Sequence, residues 1–289
     1  MHASATPRRA VAARRPPGPL PPIPLELGWR TASVRRGRGA VAVILACLLA
    51  VLLSAAPAGA QSFWDELLSG FEVAIGRSVA DNVVREYGPP ARLPATRQQW
   101  VQGIFADIVA QARRKDISYQ LTVLDSQVVN AFAAPGGYIF ITTALLEHVG
   151  KDADALANVL GHEVAHVEHK HGMNTLGRQL GIGLVLDLLF GGQQQRDNAL
   201  FTAAQVATQL ISLGWSREQE HEADDRGQRL AAAAGYDPMG MVRFFEVLQR
   251  LQGQEVPFLE FLSTHPLTSE RIERARARAA ELRGSSPAR

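Results

Sequence analysis

The chain has 289 residues, 46% hydrophobic and 20% charged, an ordinary globular composition with enough length for one large core or two small ones. Its formal charge of +2 is unevenly spread: the first sixty residues hold eight of the thirty basic residues and one of the twenty-eight acids, leaving 22 basic against 27 acidic residues beyond them, a net of about −5. That balance excludes a nucleic-acid-binding domain. The only cysteine, Cys47, lies in the same first sixty residues, so the remainder has no disulfide, and any metal it binds must rest on histidine and carboxylate.

Arginine pairs at Arg8-Arg9, Arg14-Arg15 and Arg35-Arg36 and a proline-rich stretch from Pro16 to Pro24 precede an apolar run, Ala40 to Ala56, and an A-x-A sequence, Ala58-Gly59-Ala60. This order predicts a signal peptide over residues 1–60, cleaved near Ala60, and export of a domain spanning 61–289 to the periplasm or cell envelope. An uncleaved segment would instead anchor the chain in the inner membrane, since seventeen apolar residues approach the lower limit for a span. A lipoprotein signal at Cys47 is disfavoured because the apolar run continues past it. Twin-arginine export at Arg35-Arg36 is disfavoured by Gly37 and Arg38. The basic region is long, as an upstream start assignment would make it.

Phe63 to Tyr87 and Thr96 to Lys115 read as amphipathic helices separated by Gly88-Pro89-Pro90. Tyr119 to Leu124, Val128 to Phe132 and Tyr138 to Ile141 read as a small sheet. Beyond Thr143 the pattern is helical apart from breaks near Gly191-Gly192 and around Pro257 to Pro266. The fold class is α+β, mainly α, with a small sheet beside the central helix. Leu180 to Phe190 is very apolar but too short to cross a bilayer; it reads as a buried helix, followed by a mobile loop from Gly191 to Gln195 that covers a cleft. Strand Gly137 to Ile141 offers an extended peptide an edge to pair with.

The most informative stretch is His162-Glu163-Val164-Ala165-His166. Leu156, Val159, Leu160, Val164 and Val167 repeat at helical spacing behind Asp152 and Asp154, which suit a first turn. On that helix the two histidines share one face about 6 Å apart along the axis, within reach of one zinc ion. Glu163 is turned roughly 100° away, where it can handle the ion's water as a general base. Histidine six residues past His166 would complete one known pattern, but Gly172 stands there, and His169 lies too far along a straight helix to share an ion with His162. His169 and His171 read as polar residues at the helix end. A third ligand is better sought in Ser216-Arg217-Glu218-Gln219-Glu220-His221-Glu222-Ala223-Asp224, where Ser216 and Gln219 have capping-box spacing and Glu220 and Asp224 are i and i+4. One of these carboxylates can meet the metal while the other supports a ligand histidine.

H-E-x-x-H followed some fifty residues later by S-R-x-x-E-x-E-A-D resembles the gluzincin zinc metallopeptidase family of the CAAX prenyl endopeptidases, HtpX and the periplasmic BepA-like proteases. The resemblance extends from about Arg92 to Arg283 and takes in Asn130 to Gly137 and Thr264-His265-Pro266. It implies His162, His166 and Glu220 as ligands of one zinc ion per chain, Glu163 as general base and Asp224 as support behind the ligands. It also implies a latency role for His265 as a switchable fourth ligand; the plainer alternative is that His265-Pro266 only ends an extended segment. Arg271 is either an oxyanion-stabilising group or a solvated member of an arginine-rich helix. The expected activity is endoproteolysis of misfolded or misassembled envelope proteins, with protein or peptide substrates and no nucleic acid. The alternative is an envelope chaperone that binds unfolded chains with little cleavage. The tetratricopeptide extension of some relatives is not seen before Arg289.

Overall fold

The computed structural model describes residues 58–254 and 259–285; the expected signal peptide, residues 1–60, lies outside them except for Ala58–Ala60. Helix α1 (Ala58–Tyr87) and helix α2 (Ala95–Ala110) flank the Gly88-Pro89-Pro90 break. Three strands follow, β1 (Gln120–Leu124), β2 (Ala131–Ala134) and β3 (Tyr138–Thr142), in the order β1-β3-β2. β1 runs parallel to β3 and β2 antiparallel to it. The expected edge at Gly137 to Ile141 is therefore the central strand, with both sides paired; the edges are β1 and β2. β2 also begins three residues later than Val128; the ladder is interrupted at Asn130, whose carbonyl accepts from the Thr142 amide but whose own amide donates to the Thr142 side-chain hydroxyl.

Alternation along the strands divides the core. Ile139 and Ile141 join Val101, Ile104 and Ile108 of α2 in a large cluster with the central helix, whereas Phe140 and Phe132 stack across the strands at 5.2 Å and face Ile75, Val79 and Val83 of α1. The turn between β2 and β3, Pro135-Gly136-Gly137, depends on its glycines: Gly136 (φ 75°) and Gly137 (φ 90°) occupy the left-handed region, and a Cβ on Gly137 would stand 2.7 Å from the carbonyl oxygen of Ser118.

After β3 come α3 (Thr143–Val149), α4 (Ala153–Glu168), α5 (His171–Phe190), α6 (Gln193–Leu213), α7 (Arg217–Ala233), α8 (Gly240–Gly253), the single turn α9 (Phe261–Thr264) and α10 (Ser269–Ser285). α4 starts where the sequence indicates, with the Asp152 carboxylate accepting from the Ala155 amide, and it is buried from Ala155 to Val167. α7 starts at the expected capping box of Ser216 and Gln219. Two expectations are corrected. Gly191-Gly192 is a two-residue turn and Gln193 to Gln195 already belong to α6, so no loop spans 191–195. The preceding helix is not buried throughout, since Leu186 is 45% exposed. Among the described residues no helix is long and apolar enough to cross a membrane.

Candidate active site

α4 and α7 cross at two glycines. A Cβ on Gly161 would meet the Gly227 carbonyl oxygen at 2.7 Å, and one on Gly227 would meet the His162 amide nitrogen at 2.7 Å. With no side chain at either position the two backbones touch, which brings Glu220 and Asp224 of α7 against His162 and His166 of α4.

Nε2 of His162 and Nε2 of His166 are 3.0 Å apart; Glu220 oxygens lie 3.7 Å from the first and 3.4 Å from the second. Nδ1 of His265 completes the group, 2.8 Å from Glu220 and 3.2 Å from His162 Nε2. Donors bonded to one tetrahedral zinc at 2.0–2.1 Å stand roughly 3.3 Å from each other, so the spacing fits that ion. The four residues are buried together. Glu163 is fully buried beside them, and neither of its oxygens has a hydrogen-bond partner; His265 Nε2 is 3.8 Å away.

Behind the donors, Nδ1 of His162 faces Asp224 Oδ1 at 3.0 Å. Arg271 differs from both expectations: it is 2% exposed, not solvated, and its guanidinium is spent on Asp224 (2.7 and 2.8 Å), on Glu220 Oε2 (2.6 Å) and on the Pro266 carbonyl (2.9 Å), not held free for an oxyanion. His265 likewise does more than end a segment. Its ring lies inside the cluster, stacked on Phe261 at 4.6 Å.

The charges are ordered by these contacts. Burial opposes ionisation of Glu220, but His265, Arg271 and the two helix histidines outweigh it and hold its carboxyl well below the usual range. Asp224 is lowered in the same way, Arg271 overcoming its burial. Glu163 has no such partner: burial pushes its carboxyl up, with His265 and His162 offsetting only part. Burial also drives His166 well below its ordinary value, which keeps the ring neutral and leaves one nitrogen lone pair free for a metal.

Several site residues are not evident from the sequence pattern. Trp215 stacks on His166 at 4.6 Å, and its amide donates to the Thr264 carbonyl, tying the His265 segment to the start of α7. His171, expected at a helix end, is buried, with Nδ1 2.9 Å from Nδ1 of His166. Helical periodicity could not place it there, because α4 stops at Glu168 and Lys170 adopts a left-handed conformation (φ 52°) that turns the chain back. Gly161 and Gly227 carry the only readable hint, each within three residues of a motif residue.

Two imidazoles and a carboxylate around one point, with a second, unengaged carboxylate beside them, define the donor set of a zinc-dependent hydrolase. The pattern of peptidase family M48 matches residues 95–279, and the chain belongs to that family of zinc metallopeptidases. It is similar to the mitochondrial metalloendopeptidase OMA1 of Saccharomyces cerevisiae (30% identical over 244 residues, 76% of this chain and 67% of the relative) and of Schizosaccharomyces pombe (28% over 218 residues, 73% and 62%). It is also similar to the beta-barrel assembly-enhancing protease of Escherichia coli, 27% identical over 194 residues, 64% of this chain but 39% of that protein. The chain thus spans between about two fifths and two thirds of the length of these relatives.

Proposed function

We propose that the chain is a zinc-dependent endopeptidase in which His162, His166 and Glu220 hold the ion, Glu163 is the general base, and His265 keeps the site latent. The observation that carries this reading is the convergence of the three donors from α4 and α7 with a fully buried Glu163 at their side that has no hydrogen-bond partner. When bound, zinc supplies a Lewis acid and lowers the pKa of water to about 7. Glu163, its affinity for a proton raised by burial, takes the proton from the attacking water and returns it to the leaving amide nitrogen. Asp224 orients His162, and Arg271 positions both acidic residues of α7 instead of touching substrate.

Substrate pairs with the sheet edge at β2 in this scheme. The Thr142 amide donates to the Asn130 carbonyl, so the backbone groups of Asn130, Phe132 and Ala134 point to β3 while those of Val129, Ala131 and Ala133, buried in this state, point away from it. Part of that edge is taken by the latch: the Phe261 amide donates to the Val129 carbonyl, and His265 follows four residues on. Opening the site withdraws both.

Misfolded or misassembled proteins of the cell envelope are the substrates in this reading, met after export through cleavage of residues 1–60, or from a membrane anchor if that segment stays. The likeness to a protease named for beta-barrel assembly accords with this setting, and the likeness to the mitochondrial metalloendopeptidases supports the chemistry while belonging to another compartment. A second reading, a chaperone that captures unfolded chains, is favoured by one observation, the complete burial of Glu163 beneath His265. Comparing capture and cleavage of an unfolded envelope protein separates the two. Glu163→Gln should retain zinc and capture but lose hydrolysis, and His265→Ala should raise it; cleavage that persists in Glu163→Gln refutes the assigned base.

A further inference from the structure

His171 is a buried histidine that the hydrolytic scheme leaves unused. Its Nδ1 lies 2.9 Å from Nδ1 of His166, and its Nε2 lies 2.9 Å from Oε2 of Glu222 on α7. Each contact needs one proton, and the ligand role of His166 dictates where both protons sit. Nε2 of His166 faces His162 and Glu220, so its lone pair must be free for a metal and the neutral ring carries its proton on Nδ1. That N–H donates to His171 Nδ1, which can then only accept. The proton of His171 is therefore on Nε2, donated to Glu222.

We propose that His171 and Glu222 are positioning residues for zinc, a two-step relay that fixes the tautomer and ring orientation of His166 and strengthens it as a donor. The two helix histidines are thus supported differently. His162 leans directly on Asp224, a buried carboxylate clamped by Arg271, whereas His166 leans on a second imidazole whose carboxylate, Glu222, is 57% exposed at the side chain. The relay rests on the reading of His166 as a ligand.

His169, His171 and Glu222 also stand close enough to hold an ion of their own. The proton arrangement argues against simultaneous use. An ion on Nε2 of His171 would move that ring's proton to Nδ1, where it would confront the proton on His166 Nδ1 across 2.9 Å. The relay therefore predicts a single zinc per chain.

The test measures zinc affinity of the full chain by competition with a chromophoric chelator, alongside thermal melting of the metal-free protein. His171→Phe keeps the ring volume but removes both nitrogens, and should weaken zinc by about 10–100-fold, the usual loss when a ligand's outer partner is removed. Glu222→Ala, a change at an exposed side chain, should weaken it by a smaller factor, about threefold or more. Glu222→Gln, which keeps an acceptor oxygen, should restore most of that loss. A purely structural role for His171 would lower the melting temperature and leave affinity, and its rescue by glutamine, unmoved. If both His171→Phe and Glu222→Ala bind zinc as wild type does, while His166→Ala loses it, the relay is wrong and the ligand reading stands. Retention of zinc by His166→Ala would overturn both, and two zinc ions per wild-type chain would overturn the relay.

Discussion

Replacing Arg271 by Met tests whether the site is assembled around a buried charge network. The guanidinium makes a fork with Asp224 at 2.7 and 2.8 Å and reaches Glu220 at 2.6 Å, all three side chains being nearly inaccessible. Methionine fills similar volume against Phe245, over which Arg271 lies at 5.1 Å, but leaves two carboxylates buried without their cation. Breaking a buried pair from one side typically costs about 3–5 kcal/mol. For a folded unit of this size that corresponds to a fall in Tm of roughly 6–20 °C. Urea unfolding of the metal-free protein measures the loss directly. Arg271→Lys should recover only part of it, because an ammonium cannot form the fork, and adding Asp224→Asn to Arg271→Met should recover some stability by removing one stranded charge. A loss below about 1 kcal/mol, or equal losses for Met and Lys, would show that the network is solvated and the argument wrong.

Gly227→Ala should cost about 1–3 kcal/mol through overpacking and weaken zinc binding as well, because the added methyl meets the backbone of His162; denaturation and chelator competition on one preparation would show whether the effects travel together. Removing zinc should abolish peptide hydrolysis and lower Tm while far-UV circular dichroism stays helical, since neither core cluster uses the metal residues; unfolding on chelation would contradict this. Acid sensitivity should come from depressed carboxylates. Burial opposes the charge of Glu168, but Arg226 and the Arg113 amide lower its pKa; the Arg243 hydrogen bond lowers Asp152; and burial of Asp237 is outweighed by Arg283 and Arg243. A carboxyl lowered by folding stabilises above its unfolded pKa and loses that contribution as pH falls through its folded one, so Tm should hold near neutrality and decline once the pH drops below the ordinary glutamate value of 4.5. Glu168→Gln should flatten part of that decline, and an unchanged pH profile would remove Glu168 from the explanation.

What could be read in the sequence was what depends on neighbours along the chain. Ser216 announces the start of α7 because a cap is satisfied within three residues, and the acids Asp152 and Asp154 mark the start of α4, Asp152 standing as its cap and not in its first turn. The i, i+4 spacing placed His162 with His166 and Glu220 with Asp224 on common faces, while the choice of Glu220 over Asp224 as a donor rested on the family resemblance. Arg271 could not be placed that way: its helix carries Arg274, Arg276 and Arg278, and only the docking of α10 on α7 decides which arginine turns inward. The edge of the sheet is not legible, because alternation reports which face a side chain takes and is silent on strand order; β1 passes β2 to pair with β3. His171 was missed because one left-handed residue, Lys170, ends the periodicity on which its placement relied.

The contact between Gly161 and Gly227 also bears on which ions the protein can take up. With main chain resting on main chain, the separation of α4 and α7 at this crossing is set by atoms that cannot rotate aside. Calcium, which needs six to eight oxygens at 2.3–2.6 Å, is poorly served by imidazole nitrogens and one carboxylate held at that separation, whereas a small four-coordinate ion matches the donors. The spacing of the donors is thus set in part by two residues that offer no ligand atom at all.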